Sequence, residues 1–385
     1  MKALKKILTV FGTRPEVIKL APVIRQLESC PEAFDAINVT SAQHTDLLYP
    51  FIGLFGIRID HNMKVMEPNQ SLNQVCARVL SAFDPILAEV MPDLILVQGD
   101  TTTAMAAALA GFHRHIPVGH VEAGLRSGNI HSPFPEEMNR KIVTRLATYH
   151  FAATQQNVNN LLGEGVEPDS VFLTGNPVVD SLQAILGEPS ESPEVSALLQ
   201  QTKNTKRVVL TTHRRESFGE VMTGNLRVLR QFVEQHKDVS LLFPAHPNPS
   251  VREQAYACLD DHPRITIMPP LAYPDFIRLL SHAWLIVSDS GGVQEESPTL
   301  GKPLLILREN TERPEAVECG VARLVGKDPA RLKAMLEEAY LDASWVASVR
   351  QIPNPFGDGR SSGKIVMKIG EQLGVASSAL SGLRT

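Results

Sequence analysis

Short apolar bursts recur along this chain, each about one strand long and each followed by a stretch with helical spacing. That alternation restricts the fold to parallel βαβ units. In the first half the spacing predicts strands near 7–11, 36–40, 94–98, 118–122 and 150–153, with helices near 15–28, 46–55, 71–90, 102–113 and 136–148 between them. Around 186–205 the pattern dissolves into Gly, Pro, Glu and Ser, which predicts a linker or surface excursion. A second series follows, with strands near 208–211, 240–244, 265–268, 284–288 and 303–307. A last amphipathic helix over 364–373 comes after a turn-rich run from Pro353 to Gly359, and is expected to cross back onto the first half.

The expectation is therefore an α/β chain of two Rossmann-like doubly wound domains facing a central cleft. The first takes residues 1–175 with 364–385 and the second 176–363. At 385 residues the chain is too long for a single core. Its 43% hydrophobic and 21% charged content is that of a globular protein. A formal net charge of -5 offers no general attraction to nucleic acid or anionic membrane, so neither is expected as a partner. The start lacks a signal-peptide pattern and no run reaches the roughly 18 apolar residues of a membrane helix. Cys30, Cys76, Cys258 and Cys319 lie far apart without C-x-x-C spacing, which predicts buried thiols in a reducing cytoplasm.

The chemistry-bearing residues gather where predicted strands end. Ser288-Asp289-Ser290-Gly291-Gly292-Val293-Gln294-Glu295-Glu296 runs from a buried strand through two glycines into a helix. Free backbone N–H groups and the positive helix end make such a turn a phosphate seat, and a carboxylate at Glu295 or Glu296 suits a ribose diol. The alternative is a tightly packed strand-to-helix turn. After the first strand, Gly12-Thr13-Arg14-Pro15-Glu16 puts Arg14 at a helix mouth with Pro15 at the first helical position, and Lys19 follows one turn on. This pair suits a diphosphate or is a surface pair. No G-x-G-x-x-G follows this strand, so nothing in the turn supports a nicotinamide cofactor.

Asp100, in Gln98-Gly99-Asp100-Thr101-Thr102, is either a helix N-cap or a cleft acid. Glu122, in Gly119-His120-Val121-Glu122-Ala123-Gly124-Leu125-Arg126, ends a strand at a glycine turn with no helix to cap, so it is expected to point into the cleft. Glu136 and Glu137 open a helix, where Glu137 reads as a surface residue complementing the dipole. His213, Arg214 and Arg215 follow a strand of the second half, and Arg313 stands before Pro314 at another helix start. No metal-ligand spacing stands out, and no cofactor is called for.

These motifs together resemble the non-hydrolysing UDP-N-acetylglucosamine 2-epimerases, nearly end to end. The likeness rests on Phe11 to Glu16, Gln98 to Thr102, Gly119 to Arg126, Ser132 to Arg140, His213 to Phe218, Ser288 to Glu296, Thr311 to Glu315 and Asn354 to Gly359. The resemblance implies the glycosyltransferase-B arrangement and a UDP-sugar as ligand. Its catalytic positions fall on Asp100, Glu122, Glu136 and His213. Its substrate-binding positions fall on Arg14, Lys19, Phe276, Ser290, Gly291, Gly292, Glu296 and Arg313. It also implies a homodimer and a supply of precursors for surface polysaccharide. A regulatory UDP-sugar pocket found in some members would use Gln43, Arg214 and His246, but Asp46 and Asn69 replace a Gln and an Arg of that pocket. The competing expectations are a 2-epimerase for a diacetamido uronic acid UDP-sugar, a glycosyltransferase on the same architecture, a hydrolysing epimerase, and a UDP-sugar-binding protein without catalysis.

Overall fold

The computed structural model describes residues 4–42, 45–188, 191–212 and 219–383, with only the backbone of 45–47. The chain divides into two compact units, Met1–Ser181 with Phe356–Thr385, and Leu182–Pro355. Each is built on a sheet whose strand pairings are all parallel among the described residues.

The strands of the first unit are β1 (Lys5–Phe11), β2 (Phe34–Thr40), β3 (His61–Asn62), β4 (Leu94–Gln98), β5 (Val118–Ala123), β6 (Tyr149–Ala152) and β7 (Val171–Leu173). Its helices begin with α1 (Arg14–Glu28), α2 (Thr45–Leu54), α3 (Leu72–Val90) and α4 (Thr102–His113). They continue with α5 (Glu136–Leu146), α6 (Gln155–Gly163) and α7 (Pro177–Gly187), the last of which runs on into the second unit. The sheet order β3-β2-β1-β4-β5-β6-β7 reverses direction between β1 and β4. At that switch point the helices leave the strand ends on opposite faces, and a crevice opens beyond the carboxyl ends.

In the second unit α8 (Pro193–Gln201) precedes β8 (Lys206–Thr211), α9 (Glu220–Gln235), β9 (Val239–Pro244), α10 (Pro249–Leu259) and β10 (Ile265–Met268). Then come α11 (Tyr273–Ser281), β11 (Leu285–Ser288), α12 (Gly291–Leu300), β12 (Leu304–Ile306), α13 (Pro314–Glu318) and β13 (Ala322–Leu324). Helices α14 (Pro329–Leu341) and α15 (Ser344–Ser348) complete this unit, and α16 (Ser361–Gln372) returns to pack on α1 of the first. The order β10-β9-β8-β11-β12-β13 has its own switch between β8 and β11. None of the helices among the described residues is long and apolar enough to cross a membrane.

The long strands lie where the apolar runs predict them. Three edge strands, β3, β7 and β13, are two or three residues long and leave no periodic signal. The stretch expected as a linker contains α8, whose Val195 and Leu199 are buried; Ser192 caps it through a bond from the Val195 N–H at 3.3 Å. A good N-cap and a proline at the first turn outweigh the polar composition there. Among the cysteines only Cys30 is buried, and the other three are half-buried because they sit at helix faces between core and solvent.

A small residue lets α4 come close to the sheet: a methyl added at Gly111 on α4 would stand 2.9 Å from Ile95 and Val118. The core between them is Leu8, Val10, Ile95 and Val97 against Phe83, Leu87, Ala104, Ala107 and Ala108.

Helix α1 starts one residue earlier than expected, at Arg14, because Thr13 takes the extended N-cap geometry. Glu16 closes this end: its Oε2 accepts the N–H groups of Gly12 at 3.0 Å and Thr13 at 2.8 Å. Its Oε1 accepts the Thr101 hydroxyl at 2.8 Å, which latches the β1 turn to the β4 turn across the switch point. Burial raises the Glu16 carboxyl from 4.5 to about 7, against the opposing pull of those donors. A folded-state value above the unfolded one means the folded chain holds a proton that the unfolded chain has lost. Stability is therefore fully present below pH 4.5 and falls as pH rises to about 7, by roughly 3 kcal/mol from this group. Denaturant unfolding of Glu16→Gln across that range should show a flatter pH dependence than the parent; an unchanged slope would refute the assignment.

Candidate active site

Of the expected residues of the first unit, Lys19 and Glu122 are in direct contact, and Asp100 stands on the turn after β4 beside them in the sheet order. Glu122 lies inside β5 and not beyond it. Opposite β6, Val121 pairs with Phe151 and Ala123 with Ala152, so Glu122 is an extra residue in a bulge. Its φ of 63° is left-handed, a conformation that costs a non-glycine residue about 1–3 kcal/mol. The bulge re-aims the side chain. The carboxylate is buried and bonded to protein donors.

Those donors come from three separate elements. Lys19 of α1 and the Asn176 amide, the latter at 3.0 Å, meet Oε1, and the Gln98 amide at the end of β4 meets Oε2. Lys19 is itself buried, so the reading of a surface cation fails for it: its ammonium forms an ion pair with Glu122. His120, two residues earlier on β5, bonds through Nε2 to the Gly99 carbonyl at 2.8 Å. Burial pushes its imidazole down to about 3, so the ring is neutral and its Nε2–H is the donor. Arg14 is exposed, with its guanidinium 5.7 Å over the Phe51 ring.

Asp100 does not cap α4. Thr101 does, accepting the Ala104 N–H at 3.0 Å, since it is the residue with the extended backbone next to the helix. The Asp100 carboxylate is held instead by Arg140 of α5, whose Nε and Nη2 lie 2.8 and 2.6 Å from its Oδ2. Asn139 donates to the Asp100 carbonyl at 2.9 Å. Glu137, expected at the surface, is fully buried: it accepts Arg140 Nη1 at 2.9 Å and the N–H groups of Ser127 and Gly128 at 3.0 and 3.2 Å. It faces inward because the buried Arg140 guanidinium needs a second counter-charge. Glu136, half-buried, is the first residue of α5, where the helix dipole favours a carboxylate.

In the second unit the turn after β11 lies beside the switch point. Asp289, fully buried, accepts the Thr212 hydroxyl at 2.7 Å, and Ser290 donates its N–H to the Ser288 hydroxyl at 3.0 Å. Gly291 and Gly292 are the first helical residues of α12, so space and not backbone freedom is what they provide. A methyl on Gly291 would stand 2.9 Å from Arg313 Nη1. Arg313 is held by Glu295 at 2.5 Å and Glu312 at 3.4 Å, and Arg308 clamps Glu312 with two bonds of 3.1 Å. Glu296 accepts the Tyr273 hydroxyl at 2.8 Å, and Phe276 sits half-buried on the same helix as that tyrosine.

His213, Arg214 and Gln43 lie outside the described residues, as does the side chain of Asp46. His246 is exposed after β9 and accepts the Asn248 N–H at 3.2 Å, and Asn69 is an exposed left-handed residue with φ 58°. No cluster of three or more potential metal ligands occurs among the described residues. The motif reading assigned no role to Gln98, Asn176, Arg140 or Tyr273, and offered Glu295 only as the alternative to Glu296 for a ribose diol. Each acts on a motif residue distant in sequence; Gln98, Arg140 and Glu295 stood inside motifs pointing to the site, whereas Asn176 and Tyr273 stood outside them.

Comparison with known proteins places this arrangement. A sequence model described as UDP-N-acetylglucosamine 2-epimerase matches residues 26–370. The chain is 42% identical over 369 residues to a UDP-N-acetylglucosamine 2-epimerase of Salmonella typhimurium, covering 94% of this chain and 98% of that one. It is equally identical over 369 residues to the Bacillus subtilis enzyme of that name, at 96% of each chain. Its fold is similar to a crystal structure of the Neisseria meningitidis UDP-GlcNAc 2-epimerase bound to UDP-GlcNAc, with a TM-score of 0.87, 38% identity and coverage of 95% and 100%. The two doubly wound units, the motif turns at their switch points and these likenesses over nearly the whole length have one explanation: the chain belongs to the UDP-N-acetylglucosamine 2-epimerase family.

Proposed function

We propose that this protein interconverts UDP-N-acetylglucosamine and UDP-N-acetylmannosamine by anti elimination of UDP and its re-addition. The observation that carries the reading is Glu122 on its strained bulge in β5, a carboxylate held by fixed donors from α1, the end of β4 and the turn after β7 in a chain of this family. Backbone strain kept at a carboxylate beside the switch point is the mark of a group placed for chemistry.

The proton on carbon 2 of such a sugar is not next to a carbonyl, so direct abstraction is unfavourable. When the bond from carbon 1 to UDP breaks first or nearly so, carbon 1 gains positive character and the neighbouring proton becomes acidic. Its removal leaves a 2-acetamidoglucal and UDP. Returning a proton to carbon 2 from the opposite face, with UDP re-forming its bond to carbon 1, gives the other epimer. The reaction needs an acid/base group on each face and stabilisation of the departing diphosphate.

Asp100, Glu122 and Glu136 are the proton-transfer groups in this reading. The Ser290 side chain and the backbone N–H groups of Gly291 and Gly292, with Arg14, Arg313 and His213, stabilise the diphosphate, and Glu296 takes the ribose hydroxyls. Arg140 keeps Asp100 oriented. The reading extends to a homodimer acting in the cytoplasm. Supporting it, Phe134, Met138 and Ile142 are exposed at four-residue spacing from the start of α5, and all four cysteines are free thiols.

The decisive experiment is incubation with UDP-N-acetylglucosamine in deuterated water. Deuterium at carbon 2 with a manno product is expected, and absence of both would end the proposal. Glu122→Gln should turn over at least about 10²-fold more slowly while its affinity for UDP stays near that of the parent, by calorimetry. Glu296→Ala should do the reverse, weakening UDP binding about tenfold through loss of a charged hydrogen-bond acceptor; unchanged affinity would take Glu296 out of the nucleotide site.

A further inference from the structure

The Asn176 side chain has its two ends assigned by its neighbours. Its Oδ1 accepts the Val178 N–H at 3.1 Å at the start of α7, so its amide nitrogen must be the end that faces Glu122 Oε1 at 3.0 Å. Its backbone N–H donates to the Phe356 carbonyl at 2.7 Å, which fixes the residue where the chain re-enters the first unit. Asp180, one turn on in α7, secures the same place by accepting the Ser361 and Ser362 N–H groups at 3.2 and 2.9 Å. Asn176 is thus buried, 1% exposed, and immobilised through both its backbone and its side chain. On the other carboxylate oxygen stands the Gln98 amide, 2% exposed, at the end of β4.

We propose that Gln98 and Asn176 are positioning residues that hold the Glu122 carboxylate from its two oxygens in the orientation that proton transfer at carbon 2 uses. The inference rests on the reading of Glu122 as a proton-transfer group, and goes beyond it by naming what sets that group's place. A glutamate in a left-handed bulge has no help from the strand ladder in choosing its rotamer. Lys19 supplies charge on Oε1, but a flexible ammonium does not define a plane. Two planar amides, one on each oxygen, do.

The charged and titratable groups on the surrounding elements are otherwise engaged. Glu16 on α1 is bonded to Gly12, Thr13 and Thr101, and Asp100 after β4 is paired with Arg140 of α5. His120 on β5 is bonded to the Gly99 carbonyl, and Asp180 of α7 to the start of α16. Replacing either amide by its isosteric acid leaves shape intact and sets a second carboxylate against Glu122. The Asn176→Asp side chain still caps the Val178 N–H. Like charges that close raise the proton affinity of the pair.

The test is Asn176→Asp and Gln98→Glu, each beside Glu122→Gln. In either swap kcat at neutral pH should fall about 10–10²-fold and the pH optimum of kcat should move upward, with UDP affinity by calorimetry near that of the parent and a cooperative unfolding transition retained at a lower Tm. Because the swaps address opposite oxygens of one carboxylate, either variant that folds suffices for the test. A fall in kcat with the pH optimum in place marks a merely structural role and overturns the inference. So does parental kcat and pH dependence in a folded swap while Glu122→Gln is inactive. Full turnover in Glu122→Gln instead removes that carboxylate from the chemistry, and overturns the underlying reading.

Discussion

A buried carboxylate must be compensated where it stands, and the first unit is arranged around doing so for Glu122. Taking that charge out of water is costly unless donors fill its lone pairs. The donors come from α1, the end of β4 and the turn after β7, so the carboxylate exists in this place only when those elements are assembled. The bulge in β5 is the other half of the arrangement, since a regular strand would send residue 122 elsewhere. Strain in one residue is offset by an ion pair and two amide hydrogen bonds.

The same logic holds at the neighbouring turns. Glu16 draws Gly12 and Thr13 toward Thr101, so the loops after β1 and β4 are joined at the point where the sheet changes direction. Arg140 bridges Asp100 and Glu137, and Glu137 in turn holds the backbone at Ser127 and Gly128. Asp100 and Glu137, which would otherwise repel one another, share the one buried guanidinium between them.

In the second unit, cations and acids alternate through Arg308, Glu312, Arg313 and Glu295. The chain of pairs brings the Arg313 guanidinium against the glycine that opens α12, and a side chain at that glycine would displace it. The N–H groups at the start of the helix and a fixed cation thereby share one turn, which is the chemistry a diphosphate requires.

The doubly wound α/β class is legible in the sequence because a strand buried on both faces is a mostly apolar run, as β4, β9 and β11 are here. Caps and glycine turns mark helix starts for the same local reason, so the motif residues at strand ends could be picked out one by one. What the sequence does not carry is how those residues are paired. Glu122 bonds to residues 103, 24 and 54 positions away, Asp100 is held by an arginine 40 positions on, and a bulge leaves no trace in apolar periodicity. Glu137 looked like a surface acid because its burial is decided by Arg140 and a distant loop, and α8 looked like a linker because its packing against α11 is not local. The sequence by itself determined which elements form and which polar residues sit at their ends, since propensity and periodicity act within a few residues. Only the tertiary structure decided which charge compensates which, because that depends on chain segments brought together by the sheet.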